Sequence, residues 1–149
     1  MQQSHEQLQA LTERIDTGLA DPDTSRALVV FNQTAVPQSG CAVFHAAMSW
    51  TANLPLPPLA VTEADGSVVA ASVRGMTEDP DLKGRTDRLR LSFALHFAVR
   101  DVPAQGWRTY LASYADVSSP ALENGRENAD LSVVETTRHG GDLPLTGNF

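Results

Sequence analysis

The apolar positions follow two different periods, and the change between them comes near residue 25. Leu8, Leu11, Ile15 and Leu19 recur at spacings of three and four, which places them on one face of a helix over residues 3–20. Ser4 followed by Gln7 has the form of a capping box, and Asp21-Pro22-Asp23 ends the run because proline cannot continue the hydrogen-bond ladder. The stripe is narrow, and a helix this short is marginal alone, so it must pack on something. Two partners are open: the chain's own sheet, or a helical region of a longer protein whose end is residues 1–22.

From Arg26 onward the pattern is that of strands. Ala27-Leu28-Val29-Val30-Phe31 is a continuous apolar run and predicts a strand covered on both faces. Cys41 to Met48, after Ser39-Gly40, predicts a second strand. Residues 49–59 are proline-rich and lack the donors a central strand needs. Ala60-Val61-Thr62 leads into Glu63-Ala64-Asp65-Gly66, where Asp-Gly supplies the positive-φ position of a turn, and residues 67–74 return as the second arm of a hairpin. Residues 75–87, with Pro80 and Gly84, are expected as a charged loop.

The clearest alternation follows. Leu89, Leu91, Phe93, Leu95, Phe97 and Val99 interleave with Arg88, Arg90, Ser92, Ala94, His96, Ala98 and Arg100, which predicts a long antiparallel strand with one face on a core. Residues 102–106 form a turn, Trp107 to Tyr114 another strand, and Leu131 to Thr136 a last one. Residues 115–130 and 138–149 are polar and rich in turn formers, and loops are expected there. One helix followed only by strands predicts a mostly β chain: an antiparallel β-sandwich-like domain with one N-terminal α-helix. The helix occupies 1–22 and the sandwich 23–149, with 115–149 partly irregular.

Length and composition agree with one soluble domain. A chain of 149 residues is usually a single domain, and one of this size buries roughly 70% of its unfolded surface, which needs no disulfide or metal. The net charge is -7, from 11 basic and 18 acidic residues. The one basic cluster (Lys83, Arg85, Arg88, Arg90) sits among Glu78, Asp79, Asp81 and Asp87, so neither nucleic acid nor an anionic membrane is an expected partner. Cys41 is the lone cysteine, which excludes an intramolecular disulfide and a four-cysteine zinc site, and the cytoplasm is the expected compartment. The stretch Met1 to Glu6 has no form of a signal peptide, and no apolar run approaches the ~20 residues of a membrane-spanning helix. Without a secretory signal, the sequon Asn32-Gln33-Thr34 is read as chance.

The search for chemistry returns no catalytic or metal-binding set. His5, His45, His96 and His139 include no pair three or four apart, so no helical zinc pair exists. His45 and His96 fall in predicted strands that can meet across a sheet, but a third ligand is missing. Asp79-Pro80-Asp81-Leu82-Lys83-Gly84 fails as a calcium loop, because Lys83 and Arg90 stand where oxygen ligands belong. Glu63 with Asp65, and Glu78 with Asp81, lie within single turns or loops, whereas a glycosidase holds its two carboxyls ~5–10 Å apart across a cleft. Nucleophile-elbow and phosphate-loop motifs are absent. Cys41 reads as a buried structural thiol. Among the few aromatic residues, Tyr110 and Tyr114, or Trp50 and Trp107, are candidate platforms for stacking a sugar; core packing is the competing role for the same rings.

Three stretches, in order, resemble the region after the catalytic domain of family-38 α-mannosidases. The first is Leu28-Val29-Val30-Phe31-Asn32, continuing through Pro37-Gln38-Ser39-Gly40, similar to the strand and turn that open the family's β region. The second is Val61 to Val73 with its Asp65-Gly66 turn. The third and most specific runs from Phe97 through Val102-Pro103-Ala104-Gln105-Gly106-Trp107 to Tyr110. Gln33 stands where the family has a proline, and Ser72 where it has a glutamine. The resemblance covers residues 3–115 and implies a non-catalytic structural domain that packs against the catalytic and helical domains of a parent glycosidase. It also implies that zinc and the catalytic aspartates belong to an upstream domain, with no cofactor in this chain. Two other roles are carried beside it. One is a carbohydrate-binding module for mannose-containing sugars, using Trp107, Tyr110, Tyr114 or Trp50. The other is a self-associating module that forms a homo-oligomer through the N-terminal helix.

Overall fold

The computed structural model describes residues 5–19, 25–51, 59–80, 88–114, 119–122, 125–138 and 140–149. The elements are α1 (His5–Thr12), β1 (Ser25–Asn32), β2 (Gln38–Thr51), β3 (Leu59–Glu63), β4 (Val68–Val69), β5 (Ala71–Pro80), β6 (Arg88–Val102), β7 (Gly106–Tyr114), β8 (Leu131–Thr136) and β9 (Thr146–Asn148). They form two antiparallel sheets. One is six-stranded, in the order β4-β3-β7-β1-β8 with β9 also on β7; the other is three-stranded, in the order β2-β6-β5. The fold is therefore mostly β and sandwich-like, with a single short N-terminal helix among the described residues.

β1 is buried from Ala27 to Asn32 because each of its faces meets a different core. Leu28 and Val30 point between the sheets, where they join Val61, Tyr110 and Leu131 against Ala42, Leu95, Phe97 and Val99 of the second sheet. Val29 and Phe31 point the other way and pack with Trp107 and Val134 under Leu8 and Ile15. That double coverage is the physical meaning of its continuous apolar run. Each such buried side chain contributes ~1.5–3 kcal/mol gross.

The leading helix is shorter than its stripe. α1 stops at Thr12, whose Oγ1 donates back to the Leu8 carbonyl at 2.7 Å. Beyond the turn, Ile15 makes a parallel bridge with Leu143: the Asp16 N–H donates to Leu143 O at 2.8 Å and the Leu143 N–H to Arg14 O at 2.9 Å. A tertiary ladder replaces the helical one. Leu8, Ile15 and Leu19 are all buried by the chain's own residues. Within this chain the stripe packs on the chain's own sheet, with Leu11 only partly buried.

Three further expectations are corrected. The return arm of the 61–74 hairpin does not stay in one sheet: β4 pairs with β3, and after Ala70 the chain crosses to pair as β5 with β6. The charged segment from residue 75 is not loop as far as Pro80, because β5 runs through it with a register shift between Arg74 and Thr77; residues 81–87 lie outside the described set. The tail is not loop throughout, since Thr146–Asn148 adds to β7. Gly106 permits that approach, because a Cβ there would run into the backbone of Gly147. Among the described residues, no helix is long and apolar enough to cross a membrane.

Asn32 ties β1 to the turn between β6 and β7. Its Nδ2 donates to the carbonyls of Val36 (2.8 Å), Val102 (3.1 Å) and Pro103 (3.1 Å), while its Oδ1 accepts from the Thr34 N–H (2.9 Å) and hydroxyl (2.7 Å). The side chain is fully buried. Asparagine suits the position because it carries donors and an acceptor on one short, neutral group.

Candidate functional site

A polar feature lies where the β3–β4 hairpin meets the end of β6. A cleft of about 450 Å³ opens there, lined by Glu63, Ser67, Val69, Ala98, Val99 and Arg100 among others. β3 alternates so that Val61 and Glu63 share a buried face, which carries a carboxylate into the seam between the sheets. A bulge supplies its partner. Between the pairs Val99–Gly40 and Val102–Gln38, Arg100 and Asp101 on β6 stand against Ser39 alone on β2. Asp101 takes the left-handed conformation (φ 52), and its N–H donates to Ser39 Oγ at 2.9 Å. The extra residue interrupts the alternation of β6 and turns Arg100 toward Glu63.

The pair is bidentate. Arg100 Nε donates to Glu63 Oε1 and Nη2 to Oε2, both at 2.9 Å, and Arg108 Nη2 stands 3.5 Å from Oε1. Arg108 also donates through Nη1 to the Arg100 carbonyl at 2.7 Å. The Glu63 side chain is 3% exposed and that of Arg100 63% exposed, so a buried anion is held by a largely solvated cation. The Glu63 hydrogen bonds and charge hold the Arg100 guanidinium above its already high ordinary pKa. Tyr110 closes the floor. Its oxygen accepts the Arg100 N–H at 3.2 Å, its ring packs 5.5 Å from that of Phe97, and burial pushes its hydroxyl pKa up. At the rim, the Ser67 N–H donates to Asp65 Oδ1 at 2.9 Å and lowers the pKa of that carboxyl.

The aromatic candidates separate. Tyr110 is fully buried in the core between the sheets, and Trp107 is buried on the opposite face of the larger sheet. Trp107 donates from Nε1 to the Pro144 carbonyl at 2.9 Å and lies under Phe149 in a stacked pair, with centroids 6.4 Å apart. Neither ring has a free face to offer a sugar, so both are corrected from platforms to core residues. Trp50 and Tyr114 fall in β2 and β7, but their side chains lie outside the described set.

His45 and His96 do not converge on a ligand. Val43 is the cross-strand partner of His96 and Ala94 that of His45, so the two rings are diagonal neighbours on the outer face of the smaller sheet. His96 Nδ1 lies instead 3.8 Å from Cys41 Sγ. Cys41 is buried, and desolvation pushes its thiol pKa up. Among the described residues, no three His, Cys, Asp or Glu side chains come together to hold a metal ion.

The Glu63–Arg100 clasp is the feature that sequence reasoning missed. Its one legible signal was an acidic residue at the inward parity of β3, two residues after Val61. Its partner sits at a bulge, and a strict period of two points Arg100 away from Glu63.

No family model matches the chain, and no curated protein sequence matches it. Solved structures do. A protein in glycosyl hydrolase family 38 from Enterococcus faecalis matches with a TM-score of 0.57 at 16% identity, over 80% of this chain and 16% of that one. An α-mannosidase from Enterococcus faecalis V583 matches with a TM-score of 0.56 at 16% identity, over 80% of this chain and 15% of that one. This chain thus spans about one sixth of the proteins it resembles, and its fold is that of one β-rich segment of these family-38 structures.

Proposed function

We propose that this chain is a non-catalytic accessory domain of an α-mannosidase-like glycoside hydrolase, packing against a catalytic domain that lies outside it. The observation that carries this reading is the pair of coverages: four fifths of this chain corresponds to about one sixth of a family-38 protein. The remainder of such a protein is where bond cleavage would reside. The chemistry of the cleft is consistent with a structural role. Both oxygens of Glu63 are engaged by guanidinium groups, and a carboxylate so held is poorly placed to move a proton or attack an anomeric carbon. What the clasp does instead is join the β3–β4 hairpin of the larger sheet to β6 of the smaller.

Zinc, which the resemblance assigns to the family's catalytic domain, has no fitting set of side chains among the described residues. His96 meets Cys41, and His45 stands diagonal to it with no carboxylate completing a site. The partners of the domain are accordingly the catalytic and helical domains of the parent enzyme, and mannose-containing carbohydrate is the substrate of that parent. The test is an assay of the purified chain with an aryl α-mannoside in the presence of zinc, beside gel filtration of the chain mixed with an E. faecalis family-38 α-mannosidase lacking the matching segment. No turnover by the chain alone, with co-elution in the mixture, is expected. Turnover by the pure chain would sink the reading.

A further inference from the structure

The edges of the two sheets are protected unequally. β4 is only two residues long. β5 carries a register shift, ends in Glu78-Asp79-Pro80, and is capped at its start by the Ala71 N–H donating to Pro120 O at 2.9 Å. β8 is short and contains Glu135, which pairs with Arg26 at 3.0 Å. These are the usual devices against edge pairing: brevity, irregularity, charge and proline.

Past the register shift at Gln38/Gly40 and the Glu127–Asn128 cover over Cys41, β2 has none of them among the described residues. From Gln38 to Thr51 it contains no Asp, Glu, Lys, Arg or Pro, and from Gly40 to Thr51 it runs in unbroken register with β6. It is the terminal strand of its sheet. The Cys41 carbonyl points away from β6, since it accepts the Asn128 N–H at 2.8 Å. In an antiparallel ladder alternate residues share that orientation, so Val43, His45, Ala47, Ser49 and Thr51 direct their backbone N–H and C=O groups outward too. Among the described residues no backbone partner meets them, and the side chains of His45 and Ala47 are exposed.

We propose that a second copy of this chain pairs along this edge, β2 against β2 in antiparallel fashion about a two-fold axis. Two three-stranded sheets then become one continuous six-stranded sheet. The occupant follows from charge and symmetry. Two copies of a chain with net charge -7 repel over most of their surface, and β2 is a long edge where they meet without opposing like charges. An antiparallel strand is also complementary to itself: the outward donors of one copy face the outward acceptors of the other. This inference is independent of the accessory-domain reading.

The test is sedimentation velocity on the full 149-residue chain and two variants. Ala47→Pro removes an outward N–H and leaves the ladder to β6 intact, and His45→Lys places a charge on the bare edge. A wild-type dimer is expected, with each variant raising its dissociation constant at least about tenfold while the far-UV circular dichroism stays unchanged. If the proline variant fails to fold, the lysine variant decides. A wild-type chain that stays monomeric up to about 200 μM, or a dimer that the folded variants leave intact, overturns the proposal.

Discussion

Asn32 offers the sharpest test of how the two sheets are held in register. Asn32→Asp changes no heavy-atom position but replaces an N–H₂ group by an oxygen. The three carbonyls that Nδ2 now serves, on Val36, Val102 and Pro103, would then face a carboxylate instead of a donor. The Thr34 contacts to Oδ1 survive, so the variant isolates the donor side of the network. Leaving a buried polar group unsatisfied costs ~1–3 kcal/mol each, and two lost donors place the deficit at roughly 2–6 kcal/mol. For a domain of this size that lowers the thermal midpoint by roughly 10 °C or more. The assay is urea denaturation followed by tryptophan fluorescence, beside a calorimetric melt. Asn32→Ala, which removes the acceptor as well and opens a small void, serves as the companion. An Asn32→Asp protein within about 1 kcal/mol of wild type would refute the claim that this side chain ties β1 to the β6–β7 turn.

The remaining predictions concern charge and the buried thiol. Arg100→Leu strands Glu63 at 3% exposure with Arg108 alone, whereas Glu63→Leu releases an Arg100 that is already 63% exposed. The arginine variant therefore loses more in urea denaturation than the glutamate variant, and equal losses would contradict the clasp. Cys41 and Tyr110 have pKa values raised by burial, so folding favours their neutral forms. Their contribution is complete below the unfolded-state pKa values and is lost as the pH rises through the folded ones, so stability should fall on the alkaline side. A thiol reagent at pH 8 should label Cys41 at least ~100-fold more slowly in the native chain than in urea, because labelling requires opening; equal rates would show the thiol to be accessible.

Much of the architecture was legible in the pattern of side chains. The alternation from Leu91 to Val99 specified a long half-buried strand, and the unbroken run from Ala27 to Phe31 specified one covered on both faces. Both readings work because the period of a strand is dictated locally, by the alternation of Cβ directions. Asp65-Gly66 and Val102 to Gly106 marked turns for an equally local reason, the backbone geometry these residues tolerate.

What tertiary structure decided were the places where a distant segment outcompeted a local preference. The helical stripe of Leu8, Leu11, Ile15 and Leu19 runs past the helix because Leu143, far along the chain, supplies a ladder to Asp16 and Arg14 in place of the next helical turn. Trp107 and Tyr110 look alike as aromatic residues of one strand, yet Pro144, Phe149 and the second sheet bury both rings, and no local pattern announces such a cover. The Glu63–Arg100 clasp depends on a single extra residue in β6, which reverses the direction of Arg100. Local chemistry determines which stretches are strands and where they turn; which side chains meet depends on register and bulges, and those are settled only when the sheets pack.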